Sequence, residues 1–460
     1  MSTPLLDYIA SGKHRAYRRV CSLDLAAEFA ALKLSPIERM VRRLERMLAA
    51  EMPVILEDEQ ICFMRTLKNL PDCFTEEEWK DIRAEYDIHE LGYLSNLSPN
   101  YGRAISRGLL DLRNEADEYG ARAIDAILNL TDRYREKAVE LGRTDIAEVL
   151  ARVPRYGAST FLEALQSFRI INFALWYEGN YHITVGRFDR YMYPYLKADL
   201  EAGILTEEAA LALIEDFFIS FNKDSDLYPG VQQGDNGQSM MLGGVDENGC
   251  DCFNLLSSLC LKASRNNMMI DPKINLRVSA STPAERFTEA TELTKAGLGF
   301  PQYSNDDVVI PALISLGYAP EDAANYTVAA CWEFIIPHVG ADVANIAALS
   351  YPAALDRALH RDLAGCESYE DFFACVLREI GAEAERICSR IKKLWFVPSP
   401  FMNVLMDCNI YEGGKYNNFG IHGTGIATAA DSLAVIKRYV FEERSIGKAE
   451  LLEAVDDNFE

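Results

Sequence analysis

The chain has 460 residues, 49% of them hydrophobic and 25% charged, enough to build one large core or two ordinary ones. Its net charge of -24 is spread along the chain, and such a field repels phosphate backbones and anionic lipid heads. Nucleic acid is therefore excluded as a partner, and no window holds the roughly 18 uninterrupted apolar residues of a membrane helix.

In chain order, the start MSTPLLDYIASGKHRAYRR lacks the apolar run and cleavage site of a signal peptide. The first third reads as helical. In SPIERMVRRLERMLAAE, Ser35 stands as N-cap, Pro36 opens the helix and Glu38 completes a capping box. Ile37, Met40, Val41, Leu44 and Leu48 then trace one apolar face. Thr75 before EEEW and Thr206 before EEAALALIEDFF repeat the pattern of a capping hydroxyl and an acidic first turn.

Beyond residue 235 the pattern changes. SMMLGGV leads into the turn DENG, Asp246 to Gly249, and DPKINLRVS alternates Ile274, Leu276 and Val278 with polar residues. Helical stretches such as PAERFTEATELTKAG separate these strands, so the class is α/β. The last stretch, SLAVIKRYVFEERSIGKAELLEAVDDNFE, is helical and ends on acids that oppose the macrodipole.

Between them lies VAACWEFIIPH, residues 328–338, with a thiol and a carboxyl two positions apart in an apolar run. The neighbours Tyr326, Thr327, Val328, Phe334, Ile335 and Ile336 favour extended backbone, and Pro337 stops it. Residues two apart on a strand face the same side, so Cys331 and Glu333 are expected to point together with Trp332 turned into packing. A carboxylate neighbour raises a thiol pKa, which suits a sulfur that loses a hydrogen atom rather than a proton. Glu333 is then the acid–base group, its pKa raised by apolar surroundings. A structural reading, with Cys331 a small buried hydrophobe and Glu333 paired to an arginine, fits the same three residues.

Here a resemblance enters. PQYSNDDVVIPALISLGYAPEDAANYTVAACWEF resembles the thiyl-radical segment of the glycyl radical enzymes, the pyruvate formate-lyase superfamily. GRFDRYMYPYLKADLEAGILTEEAALALIEDFF, GDNGQSMMLGGVDENGCDCFN and GTGIATAADSLAVIKRYVFEE agree in order. The resemblance implies a ten-stranded β/α barrel of two parallel half-barrels, incomplete at the C-terminus, with Cys331 on a central hairpin loop. Residues 1–150 would be the helical N-terminal part, and 151–460 the barrel core.

It implies that Cys331 becomes the thiyl radical and that Glu333 matches the glutamate of the C-x-E subgroup of eliminases and aryl-acetate decarboxylases. Cys331 lies between Ala330 and Trp332, so the adjacent second cysteine used for acyl transfer is missing. The substrate is expected to be a small organic molecule, with His182, Trp332, Tyr93 and Asn100 around it. Tyr93 and Asn100 stand, in LGYLSNLSPNYGR, about where relatives place a His and an Asp, which puts an ordinary diol in doubt.

The resemblance implies a glycine-bearing R-V-x-G-[YFW] loop, and as none occurs in these residues the glycyl radical domain is expected to be absent. The radical is expected from a small glycyl-radical-bearing protein, generated by a radical S-adenosylmethionine activating enzyme. The chain itself is expected to bind no cofactor and no metal, and a homo-oligomer is compatible with the resemblance. An inert, truncated relative that binds a small molecule is the competing expectation.

Cys250 and Cys252 lack the spacing of a zinc site, DSDLYPG at Asp224 fails as a calcium loop, and LGGVDENG is no P-loop. The eleven scattered cysteines fit reduced thiols in the cytoplasm. His338 and His422 are lesser candidates, and Arg187 and Asp189 read as a structural pair through the resemblance alone.

Overall fold

The computed structural model describes residues 3–89, 92–224, 227 and 237–459. Most of DSDLYPG (224–230), the first residues of GDNGQSMMLGG (234–236) and the first residue of LGYLSNLSPNYGR (91) lie outside the described residues. The chain divides into two units. The first comprises 1–84, 90–342 and 396–417; the second comprises 85–89, 343–395 and 418–460.

In the first unit, capping and amphipathic spacing act as read from the sequence. Helix α1, Pro36–Ala50, starts where Ser35 Oγ accepts the Glu38 N–H, and it buries Met40, Val41, Leu44 and Leu48. Glu38 differs from the expected capping box: its carboxylate binds Arg42 and Arg122. The Thr75–Glu78 pair does make the reciprocal box. Helices α2 (Tyr101–Arg107), α3 (Glu118–Glu140) and α4 (Phe161–Tyr177) follow. All but one residue of the 17 in α4 are buried, so it forms the axis of the largest apolar cluster rather than an amphipathic cover.

Strand β1 (Gly186–Arg187) precedes α5 (Glu207–Asn222), capped by Thr206. Strands β2 (Ser239–Gly243), β3 (Lys273–Val278) and β4 (Gln302–Asn305) alternate with α6 (Leu255–Asn267) and α7 (Ala284–Lys295). They form one parallel sheet in the order β1-β2-β3-β4. Met240, Leu242, Ile274 and Leu276 join the helical core. Met241, on the opposite face, packs with Tyr326, Val328 and Ile336. Covering both faces is what makes a parallel sheet stable. The antiparallel hairpin β5 (Thr327–Ala329) and β6 (Glu333–Ile335) supplies that second cover.

In the second unit, β7 (Val343–Ser350) and β8 (Phe419–Thr424) pair in parallel. Helices α8 (Tyr351–Asp362) and α9 (Tyr369–Ser389) share a small core with Ile436 and Val440. The C-terminal segment is helical as expected, through Ile426–Val435 and Lys448–Asp456. The architecture is α/β with parallel strands; among the described residues they do not close into a ten-stranded barrel.

Candidate functional site

Cys331 lies at the tip of the β5–β6 hairpin. Ala329 pairs with Glu333 across the ladder, so Ala330, Cys331 and Trp332 form the turn. Ala330 has a φ of +44°, a left-handed backbone unusual for a residue with a Cβ, and there the chain reverses. Cys331 and Trp332 are exposed, and Glu333 is half-buried.

Three expectations are corrected by this turn. Cys331 is outside the strand, so strand alternation does not align it with Glu333. Trp332 does not turn into packing: it is 49% exposed, because the turn ends the alternation that would drive it inward. Glu333 does not sit in fully apolar burial. What joins the pair is the carboxylate itself, whose Oε2 accepts the N–H of Cys331 and the N–H of Trp332, each at 2.9 Å.

Behind the tip, the hairpin is moored to the sheet. Ser239 Oγ donates to the Ala330 carbonyl at 2.8 Å. Thr184 Oγ1 lies 2.7 Å from the Val328 carbonyl and 2.8 Å from that of Ser239; its single proton serves one at a time. The approach to β5 is fixed by two buried arginines. Arg187 donates to the carbonyls of Ala324 (3.1 Å) and Gly243 (2.8 Å). Arg277 donates to those of Ala324 (2.9 Å) and Tyr326 (3.2 Å), and binds Asp306 at 2.7 and 2.9 Å. The Tyr326 hydroxyl donates to the same carboxylate at 2.8 Å. Burial, with Arg277 alongside, pushes the Arg187 guanidinium down to about 10.

Asp189 meets Arg187 through a backbone group: its Oδ2 accepts the Gly243 N–H at 2.7 Å and the Ser257 hydroxyl at 2.5 Å. Arg187 thus takes the Gly243 carbonyl and Asp189 its amide. Burial raises the Asp189 pKa, opposed by those hydrogen bonds.

The remaining sequence candidates occupy distinct places. His182 is half-buried with a φ of +49°, two positions before Thr184, and a Cβ on Gly237 would fall 2.4 Å from its ring. The Tyr93 hydroxyl accepts from buried Arg43 at 2.6 Å, and that guanidinium lies 5.1 Å from the ring centre. Asn100 caps α2 by accepting the Arg103 N–H at 2.9 Å, and donates to Asp407 at 2.8 Å. Asp407, just past α10 (Pro400–Leu405), also faces Arg103 at 3.2 Å and His338 Nδ1 at 3.6 Å. Burial pushes the His338 imidazole down to about 4, against the pull of Asp407. His422 is exposed on β8 in the second unit.

Ser239 and Thr184 were not singled out from the sequence. The signal for Ser239 was present: in SMMLGG the apolar Met240 and Leu242 face the helices, which turns Ser239 and Met241 towards the hairpin. Among the described residues, no group of three His, Cys, Asp or Glu side chains is placed to hold a metal ion, and no helix is long and apolar enough to cross a membrane.

Comparison with known proteins adds the following. The family model described as pyruvate formate lyase-like matches residues 64–460. The (2S)-3-sulfopropanediol dehydratase of Klebsiella oxytoca is 29% identical over 409 residues, covering 80% of this chain and 49% of that protein. The isethionate sulfite-lyase of Oleidesulfovibrio alaskensis is 27% identical over 434 residues, covering 78% and 52%. The chain thus spans about half the length of these curated relatives. A solved structure concerned with 1,2-propanediol dehydration in Roseburia inulinivorans superposes with a TM-score of 0.83 at 23% identity, covering 100% of this chain and 73% of that one. At that identity the likeness shows the fold. The match to the family model over most of the length agrees with the motifs: the chain belongs to the pyruvate formate lyase-like family.

Proposed function

We propose that the chain is the thiyl-bearing core of a glycyl radical lyase, which removes a hydrogen atom from a small organic substrate and eliminates a neighbouring group. The observation that supports it is the exposed Cys331 at a hairpin tip whose amide is bound by the Glu333 carboxylate at 2.9 Å. The unpaired electron would come from a glycyl radical on a separate polypeptide, generated by a radical S-adenosylmethionine activating enzyme.

In this reading the Cys331 sulfur, having lost its hydrogen atom, takes one from a substrate carbon next to an oxygen. Glu333 moves the proton that lets the adjacent hydroxyl, amine or sulfonate depart. The product radical then recovers its hydrogen from the Cys331 thiol, so the sulfur ends as it began. A half-exposed carboxyl suits this work, because it can exchange its proton between turnovers. His182 and Trp332 would face the substrate. Tyr93 and Asn100, whose polar atoms bind Arg43, Arg103 and Asp407, would act by holding the wall in place.

The test is anaerobic turnover after mixing the chain with a glycyl-radical polypeptide and an activating enzyme. The substrates offered would be sulfopropanediol and isethionate, on which the relatives above act by name, and an aryl-acetate. Elimination products that vanish with Cys331→Ala support the proposal. Decarboxylation of the aryl-acetate alone would replace elimination by the other chemistry expected of the C-x-E subgroup. No turnover of any of them with a radical-loaded partner would favour the inert reading.

A further inference from the structure

The peptide unit joining Ala330 to Cys331 is held at both ends. Its carbonyl accepts from Ser239 Oγ at 2.8 Å, and its N–H donates to Glu333 Oε2 at 2.9 Å. A trans peptide is rigid and planar, with C=O and N–H pointing in opposite directions. Two partners on opposite edges therefore fix the rotation of that plane. The plane leads directly into the Cys331 α-carbon, so its rotation sets where the sulfur points.

The Ser239 tether bears most on the left-handed turn. Ser239 is 1% exposed and Ala330 6%, so little water is at hand to replace the bond. Ala330 has a φ of +44°, which a side chain disfavours and a fixed carbonyl helps to hold. Ser239 is the first residue of β2, and its neighbours Met240 and Met241 are locked on opposite faces of the sheet. The hydroxyl thus projects from a rigid element, whereas Glu333 must change its proton state in the proposed reaction. The Glu333 tether therefore strengthens and weakens with the charge on its carboxyl, whereas the Ser239 tether is constant.

We infer that Ser239 is a positioning residue for the Cys331 sulfur, locking the preceding peptide plane from the sheet side while Glu333 exchanges its proton. This rests on the reading of Cys331 as the reactive sulfur.

The test is anaerobic alkylation of the whole chain with iodoacetamide, read peptide by peptide by mass spectrometry. The rate at Cys331 is divided by that at the exposed Cys250. Ser239→Ala is expected to raise this ratio roughly threefold or more as the plane is released, since the lost bond is an ordinary neutral one. Ser239→Thr, which keeps the hydroxyl, is expected to restore it. An unchanged ratio in Ser239→Ala overturns the inference, as does a ratio in Ser239→Thr equal to that of alanine. Should alanine loosen the whole fold, the buried Cys62 and Cys260 would become labelled. Ser239→Cys, close in volume and a weak donor, then decides by the same ratio. In the activated enzyme Ser239→Ala should lower kcat with KM unchanged. If instead Cys331→Ala keeps turnover, the functional reading falls while the labelling ratio still decides the role of Ser239.

Discussion

Glu333 binds the backbone of the residue it is proposed to serve: its Oε2 lies 2.9 Å from the amide nitrogens of both Cys331 and Trp332. The proposed acid–base group and the scaffold of the thiol are therefore one side chain. Glu333→Gln keeps an acceptor oxygen for both amides but cannot carry the proton. Turnover should fall by about 10²–10⁴-fold, the usual contribution of a positioned acid–base group. The Cys331 alkylation rate should stay within about twofold of wild type, since the acceptor for both amides is kept. Equal turnover would remove Glu333 from the chemistry.

The hairpin should depend on Arg277 for stability. Arg277 and Asp306 are both buried, at 1% and 2% exposure, and the arginine also serves the carbonyls of Ala324 and Tyr326. Arg277→Met leaves an unpaired buried carboxylate, and the expected loss is about 3–5 kcal/mol of unfolding free energy. Arg277→Met with Asp306→Asn should recover part of it. Denaturant melts of the three variants check both statements.

Tyr93 and Gly179 offer a separate check of how the wall is held. A Cβ at Gly179 would fall 2.6 Å from the Tyr93 ring, and the backbone there has a φ of +90°. Gly179→Ala should cost about 1–3 kcal/mol from backbone strain alone. Tyr93→Phe, which keeps the ring but removes the oxygen that accepts from Arg43, should cost less than that. Denaturant midpoints at unchanged slope would show both.

His338 should make stability fall in mild acid. Its folded pKa, about 4, lies below the ordinary value of 6.5 because burial disfavours the charged ring. Between these values the unfolded chain binds more protons than the folded one, so stability rises with pH across that window and is lost as pH drops through it. With 30% of the side chain exposed, water offsets part of the effect. His338→Gln should flatten the slope of melting temperature against pH from 6.5 down to 4.

Much of this arrangement was legible in the sequence, and the reason differs by residue. Local signals carried well: Thr206 caps its helix, the DENG turn closes through Asp246, and Ile274 and Leu276 face the core. The proximity of Cys331 and Glu333 follows from their spacing, but the way they meet, carboxylate to backbone amide rather than side chain beside side chain, was not legible. Period-two alternation assumes an unbroken strand, and the left-handed Ala330 breaks it where no glycine announces a turn. The tethers were hidden for another reason. Ser239 and Ala330 lie 91 positions apart and Thr184 and Val328 144 apart, and a lone hydroxyl carries no trace of so distant a partner. Glu38 shows the reverse case, a correct local motif redirected by Arg122 from another helix.

The central claim is that unpaired-electron chemistry passes through the sulfur at position 331. The most direct measurement activates wild type and Cys331→Ala with the same radical-loaded partner, quantifying the glycyl radical by electron paramagnetic resonance and the product from deuterated substrate. The account predicts an equal radical signal in both, with deuterium returned to product by wild type and no product from the alanine variant. Product from Cys331→Ala at the wild-type rate would contradict it.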